Sequence, residues 1–265
     1  MGKLVIIPTY NEKDNIENII YEVFSLHHDF HVLVIDDGSP DGTAQLVKNL
    51  QPSFPEKLFL EERKGKLGLG TAYIHGFKWA IEKGYDFICE MDADFSHNPA
   101  DLARLVDACK YEGADVAVGS RYVTGGAVAN WPRTRILLSK GASLYTRLIT
   151  WMPVMDPTAG FVCYKRKVLE ALNLDGISFI GYAFQIEMKF AAWKLKFKIK
   201  EVHITFVDRK FGVSKMNKGI VKEGILGVLK LRWQSIFKNY HVRMKNTTET
   251  ISKFSSEEII AQSNS

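Results

Sequence analysis

Two carboxylates spaced i and i+2, Asp92 and Asp94, follow the apolar run Phe87 to Cys89 in the stretch Glu90-Met91-Asp92-Ala93-Asp94-Phe95-Ser96-His97. In an extended strand such positions point the same way, so the pair would converge on one small volume at the strand's exit. Two anions held there repel unless a cation joins them. Oxygen-only ligands select hard ions, which makes Mg2+ or Mn2+ carrying a nucleotide diphosphate the natural occupant. The plainer reading is a helix start, since Asn98-Pro99 follows at once and acids are common near helix N-termini.

In open α/β sheets ligands bind beyond the carboxyl ends of the strands, and four candidate strand ends here carry chemistry. The first ends in Pro8-Thr9-Tyr10-Asn11-Glu12, where Tyr10 offers a stacking face for a base and Glu12 an acceptor for its edge. Another ends in Asp36-Asp37-Gly38-Ser39, a turn whose carboxylate suits a ribose hydroxyl pair. The remaining two end in Asp92-Ala93-Asp94 and in Gly119-Ser120-Arg121-Tyr122. A nucleotide-sugar site explains all four at once. Gly65-Lys66-Leu67-Gly68-Leu69-Gly70 lacks the G-x-G-x-x-G spacing and does not follow the first strand, which argues against a dinucleotide-binding oxidoreductase. Arg209 to Met216 clusters three cations around Gly212, either as a basic turn or as a lid that neutralises a departing diphosphate.

The elements that must position these residues read as an α/β fold, a mainly parallel twisted sheet flanked by helices. Strands are expected at Leu4 to Pro8, Val32 to Ile35, Phe87 to Met91, Asp115 to Gly119 and Val202 to Val207. Between them run helix-period segments: Ile16, Ile19, Ile20 and Val23 after a cap at Asn11, then Leu46, Val47 and Leu50, then Gly68 to Lys83. Asn98 to Tyr111, with Asn98 as cap and Pro99 at N1, is the clearest helix, and Tyr182 to Lys194 another. Two segments, about 133–152 and 221–240, mix Leu, Ile, Trp and Phe with regularly placed cations. They resemble helices lying on a membrane surface, or ones that pack on protein.

The 265 residues, 46% of them hydrophobic, are enough for one catalytic domain over about 1–243 and a polar tail over 244–265. The apolar runs are too short to span a bilayer, and Met1-Gly2-Lys3 leads straight into Leu4 to Ile7 with no export signal, so a cytoplasmic location is expected. Cys89, Cys109 and Cys163 sit in apolar contexts and read as reduced core residues. From Lys189 to Lys245 there are 15 Lys and Arg against three acids, an excess of 12; the whole chain carries only +5, so the remainder is net acidic by 7. Such a basic segment meets an anionic membrane surface or a phosphorylated substrate; no nucleic-acid motif accompanies it, so nucleic acid is not expected as a partner.

These motifs in this order resemble family 2 of the inverting glycosyltransferases, and more narrowly the polyprenol-phosphate (dolichol-phosphate) mannose synthases. The resemblance rests on PTYNE at 8–12, DDGSPDGT at 36–43, GLGTAY at 68–73, MDADFSHNP at 91–99, GSRY at 119–122, NWPRTR at 130–135, SKGAS at 139–143, DPTAGF at 156–161 and RKFGVSKM at 209–216. It implies a GT-A fold, GDP-mannose as donor, Mg2+ or Mn2+ as cofactor and a polyprenyl monophosphate as acceptor. By position, Pro8, Tyr10, Glu12, Ile35 and Asp37 would hold guanosine, with Asp92 and Ala93 bordering ribose and diphosphate. Asp94 would be the principal metal ligand beside Asp92 and Ser96; many relatives carry Gln where this chain has the shorter Ser96. Arg121, Arg209 and Lys215 would contact donor phosphates, and Arg135 with Ser139 the acceptor phosphate. Asp94, Arg135 and Arg209 would then carry catalysis. The resemblance further implies a short form without membrane-spanning helices, docked peripherally on the membrane or through a membrane-anchored protein partner.

A lipid phosphate needs no general base, because its second pKa near about 6 leaves much of it dianionic at neutral pH. Gln185 and Glu187 fall where hydroxyl-glycosylating relatives place a base, and no such role is expected for Glu187. Two further readings are a family 2 enzyme using UDP-glucose or another nucleotide sugar, and an inactive membrane-associated scaffold. The joint presence of Asp92, Asp94, Arg121 and Arg209 speaks against the scaffold.

Overall fold

Strict alternation of β1 (Lys3–Thr9) sends Leu4 and Ile6 into one hydrophobic layer and Val5 and Ile7 into another, so the strand is buried on both faces. β2 (Phe30–Asp36) behaves alike, with Leu33 and Ile35 on the first side and Val32 and Val34 on the second. The computed structural model describes residues 1–181, 183–208 and 218–241, with side chains omitted at 218–223 and 225.

Around these strands lie β3 (Leu58–Glu62), β4 (Phe87–Glu90), β5 (Val116–Ser120), β7 (Val162–Lys165) and β8 (Ile199–His203), in sheet order β3-β2-β1-β4-β7-β5-β8. All pairs are parallel except those made by β7, which runs antiparallel between β4 and β5. A two-stranded parallel sheet, β6 (Ala127–Ala129) with β9 (Thr205–Val207), stands beside it. The second layer of the core is covered by α1 (Lys13–Ser25), α2 (Thr43–Leu50) and α4 (Asp101–Lys110). The first is covered by α3 (Leu69–Glu82), α6 (Arg166–Ala171), α7 (Phe184–Lys194) and part of α8 (Lys218–Gln234). α5 (Arg133–Thr150) packs beside α8.

Several expectations shift. The strand expected at Val202 to Val207 is split at Ile204 between two sheets. Asn98 Oδ1 accepts from Ala100 N at 3.0 Å, an Asx turn that delays the helix to Asp101, and Asn11 has φ +56 and no capping side-chain bond. The two amphipathic segments form helices over Arg133–Thr150 and Lys218–Gln234. Cys89, Cys109 and Cys163 are free and buried, as expected.

Candidate active site

The sheet reverses its connection order beside β1: β2 and β3 lie to one side, β4 and the later strands to the other. Parallel strands bring their carboxyl ends to one edge, and a cavity of about 350 Å³ opens at that reversal. Pro8, Tyr10, Glu12, Asp37, Asp92, Ala93, Asp94, Ser96, Arg121 and Arg135 all line it. Ile35 does not. Its side chain is fully buried and faces α3, where a Cβ on Gly76 would lie 2.9 Å from Ile35 Cδ1. Ile35 lies with Leu33 in the core layer on the α3 side, so its side chain is no part of the cavity lining. Ser139 is also off the cavity wall; it lies one turn after Arg135 on α5 and accepts from Tyr122 Oη at 2.7 Å. Arg209 and Lys215 fall outside the described residues.

Asp92 and Asp94 reach the same cavity by a different route from the one their spacing implied. β4 ends at Glu90, and residues 91–97 form an irregular loop in which Phe95 takes φ +60. The loop is tied down twice: Ser96 N donates to Asp94 Oδ1 at 3.0 Å, and Val207 N donates to Ser96 O at 3.1 Å. Asp94 and Ser96 are buried at 7% and 2% exposure, which shields the Asp94 carboxylate from bulk water, while Asp92 is half-buried. Among the described residues no three His, Cys, Asp or Glu side chains form a metal cage. Two carboxylates and a hydroxyl on one wall, with room beside them, are the donor set of a hard dication that keeps waters and takes its other ligands from a phosphorylated substrate. The residues present fit Mg2+ or Mn2+ held in that way.

The two carboxylates after β2 have divided roles. Asp36 is structural, accepting from Thr9 Oγ1 at 2.9 Å and from Ser39 N and Oγ at 2.8 and 2.6 Å. Asp37 lines the cavity and is oriented by Arg63, whose Nε donates to it at 2.6 Å while Nη1 donates to Thr71 Oγ1 at 2.9 Å. Opposite, Arg121 is committed to the fold. Its backbone N, Nε and Nη2 donate to Asp156 at 3.0, 2.7 and 2.6 Å, and Nη2 also reaches Thr158 Oγ1 at 2.8 Å. Burial pushes the Asp156 carboxyl up, but the Arg121 bonds and charge outweigh it and hold it below the ordinary carboxylate value. Arg121 therefore presents a neutralised pair to the cavity, a weaker phosphate contact than a lone guanidinium. Arg135 stacks on Trp131 with 3.9 Å from guanidinium carbon to ring centroid, and its Nη1 donates to Asp208 at 3.0 Å. Only 29% of its side chain is exposed.

Other polar groups near the cavity carried no assigned role in the motif reading. His97 lines the wall, stacked 4.8 Å from Phe161 and edge-on to Phe206 at 5.4 Å. Burial pushes its imidazole down to about 4 against the charge of Asp94, so it is neutral at physiological pH. Behind the loop, Glu90 and Lys189 are fully buried, and Lys189 Nζ donates to Ala159 O at 2.6 Å and Gln185 O at 3.0 Å. Burial pushes Glu90 up to about 8 despite the Lys189 charge, and Lys189 down to about 8 despite that of Glu90. Lysine 189 thus fixes the Ala159-Gly160 wall from within. A lysine set between Met188 and Phe190 was the available signal. Glu187 is fully buried away from the cavity, accepting from Ser178 N and Phe179 N at 2.8 and 3.0 Å and pairing with Lys238.

The outer face of α5 exposes Leu137, Leu138, Leu144 and Leu148, with Trp151 just beyond; α8 exposes Leu226, Leu229 and Trp233, followed by Ile236 and Phe237. Arg232 stands 4.6 Å from the Trp151 ring centroid, joining the two. Among the described residues no helix is long and apolar enough to cross a membrane.

A family profile described as Glycosyl transferase family 2 matches residues 4–172. A relative named polyprenol monophosphomannose synthase, from Mycolicibacterium smegmatis, is 46% identical over 225 residues, 85% of this chain and 84% of that one. One from Micrococcus luteus, named undecaprenyl-phosphate mannosyltransferase, is 42% identical over 240 residues, covering 89% and 98%. Among solved structures, glucosyl-3-phosphoglycerate synthase from Mycobacterium tuberculosis, in complex with Mn2+, UDP and glucosyl-3-phosphoglycerate, superposes with a TM-score of 0.63 at 18% identity, covering 87% of this chain and 79% of that one. The mannosyltransferase PcManGT from Pyrobaculum calidifontis, in complex with GDP-Man and Mn2+, gives 0.56 at 17% identity, covering 90% and 65%. At these identities the structural likeness speaks to the fold.

Proposed function

The chain belongs to glycosyl transferase family 2, and on that premise we propose that it transfers mannose from GDP-mannose to a polyprenyl monophosphate, yielding polyprenyl phosphate mannose and GDP. The fold is of GT-A type and the enzyme a mannosyltransferase. The observation that carries the reading is the cavity itself: Asp92 and Asp94 share one lining with Pro8, Tyr10, Glu12 and Asp37, which this reading assigns to the nucleoside, and with the cation Arg135. Arg135 is on the helix whose outer face is apolar, so a phosphate arriving with a lipid tail meets a cation first and apolar surface beyond.

In this reading Tyr10 stacks the base, Glu12 accepts from its edge, and Asp37, held by Arg63, takes the ribose hydroxyls. Asp94, with Asp92 and Ser96, holds Mg2+ or Mn2+. When bound, that ion supplies positive charge to the diphosphate leaving group. Arg209 and Lys215 are assigned to the same phosphates by the motif alone. Arg135 exchanges Asp208 for the acceptor phosphate, a dianion in place of a monoanion, with its guanidinium plane already set by Trp131. Ser139 supports it through the Tyr122 hydroxyl, one turn along the helix. The acceptor oxygen then attacks the anomeric carbon from the face opposite the departing GDP, and the configuration inverts. No side-chain base is required, and Glu187 is occupied with loop 178–179 and Lys238. The apolar faces of α5 and α8 rest on the membrane that supplies the lipid, with Lys140, Arg147 and Arg232 available to anionic headgroups.

Incubating the purified chain with radiolabelled GDP-mannose, a divalent metal and a membrane lipid extract should give a mannolipid that partitions into organic solvent. Label appearing there from UDP-glucose, and none from GDP-mannose, would replace this reading with a UDP-sugar enzyme.

A further inference from the structure

We infer that Lys66 selects the nucleobase, its ammonium reading the acceptor edge of guanine while the base lies on Tyr10; the inference rests on the donor reading above. Lys66 lines the cavity with Tyr10, Glu12 and Asp37, and its Nζ stands 4.9 Å from the centroid of the Tyr10 ring. The segment that carries it joins β3 to α3 and is fixed at both ends. At one end Arg63 is bound to Asp37 and Thr71. At the other, Gly70 N donates to Ile180 O at 2.9 Å, and Gly68, with φ +100, packs so close to Ile180 that a Cβ there would lie 3.0 Å from its carbonyl oxygen. Between these anchors Lys66 makes no ion pair among the described residues, whereas the neighbouring Arg63 is held by Asp37.

A cation standing over the ring that receives the base must give way when the base arrives. Lys66 is exposed at the cavity wall on a loop anchored at both ends, and its long flexible stem lets the ammonium follow the rim of the incoming base. The rim then decides which base is welcome. Guanine presents O6 and N7 there, two acceptors suited to a lysine, while adenine presents an N6 amino donor beside N7, which repels it. Glu12 accepts from donors on a neighbouring edge of guanine. The two side chains thus read opposite polarities of one base, and only guanine satisfies both.

The test compares dissociation constants for GDP and ADP, measured by calorimetry on the full chain with Mg2+ present. Both purines share stacking, ribose, phosphate and metal contacts, so their ratio isolates the edge. The wild type should bind GDP more tightly than ADP. Lys66→Met should lower that preference by about tenfold, and Lys66→Arg should keep it. A Lys66→Met chain that weakens GDP and ADP by the same factor, or neither, overturns the inference while leaving the donor reading intact. A wild type that binds UDP more tightly than GDP removes the donor reading, and this inference with it.

Discussion

Asp156→Asn tests whether Arg121 belongs to the fold before it belongs to the substrate. Asp156 is fully buried, Arg121 is 7% exposed, and three of the carboxylate's hydrogen bonds come from that one residue. Asparagine keeps the shape and removes the charge, leaving the guanidinium uncompensated. Breaking one partner of a buried pair costs about 3–5 kcal/mol. In a chain of this size each kcal/mol moves the melting temperature by about 2–4 °C, so a fall of about 10 °C is expected. Differential scanning calorimetry reads it directly. The pH arm follows from linkage: the folded carboxyl sits below its ordinary value of 3.8, so its contribution is complete above that value and lost only as pH falls through the lower folded one. The gap between wild type and variant should therefore be flat from pH 5 to 8 on a scale of about 1 kcal/mol, and close only in stronger acid. Arg121→Met with Asp156→Leu, which removes both charges together, should recover most of the stability while weakening GDP binding. A single variant that melts with the wild type, or a double variant as unstable as the single one, refutes the reasoning.

Asp94→Asn should lower turnover by about a hundredfold or more while the melting curve stays near wild type, because an amide oxygen can still accept from Ser96 N. Near-normal rates with Mg2+ or Mn2+ would remove Asp94 from the metal site. Glu187→Gln should cost about 1–3 kcal/mol in urea titrations through the weakened Lys238 pair, yet leave the pH optimum of transfer unchanged; a displaced optimum would return Glu187 to the chemistry. Leu148→Glu with Trp233→Glu, both on the exposed face, should abolish flotation with anionic vesicles while sparing transfer to a short water-soluble acceptor phosphate. Flotation equal to wild type would assign that face to something other than lipid.

Legibility in the sequence followed burial. β1, β2, β4 and β5 have long apolar runs because they are covered on both sides, and each stands within a residue or two of its expected place. β3 escaped notice because it is an edge strand ending in Glu61-Glu62, with only Leu58 buried. β7 was hidden for another reason: it arrives from a distant part of the chain, antiparallel, and no local pattern announces its neighbours. The cavity residues were legible as types at strand ends, but what else holds them was not. Asp36 and Asp37 are adjacent and alike, yet one is consumed by Thr9 and Ser39 and the other by Arg63. Arg121 reads as a phosphate ligand, and nothing local announces that Asp156, 35 residues on, also clasps it.

The insertion of β7 has a consequence for assembly. During synthesis β1 and β2 can zip together as they emerge, but β5 finds no partner until residues 162–165 have left the ribosome, and its other neighbour, β8, comes later still. Until then the free border of Phe87-Ile88-Cys89-Glu90 is an open template for foreign chains. The loop bearing Asp92 and Asp94 likewise acquires its far wall, Ala159-Gly160, only at that moment. Shielding of the β4 border and completion of that wall of the cavity thus both wait on residues 159–165.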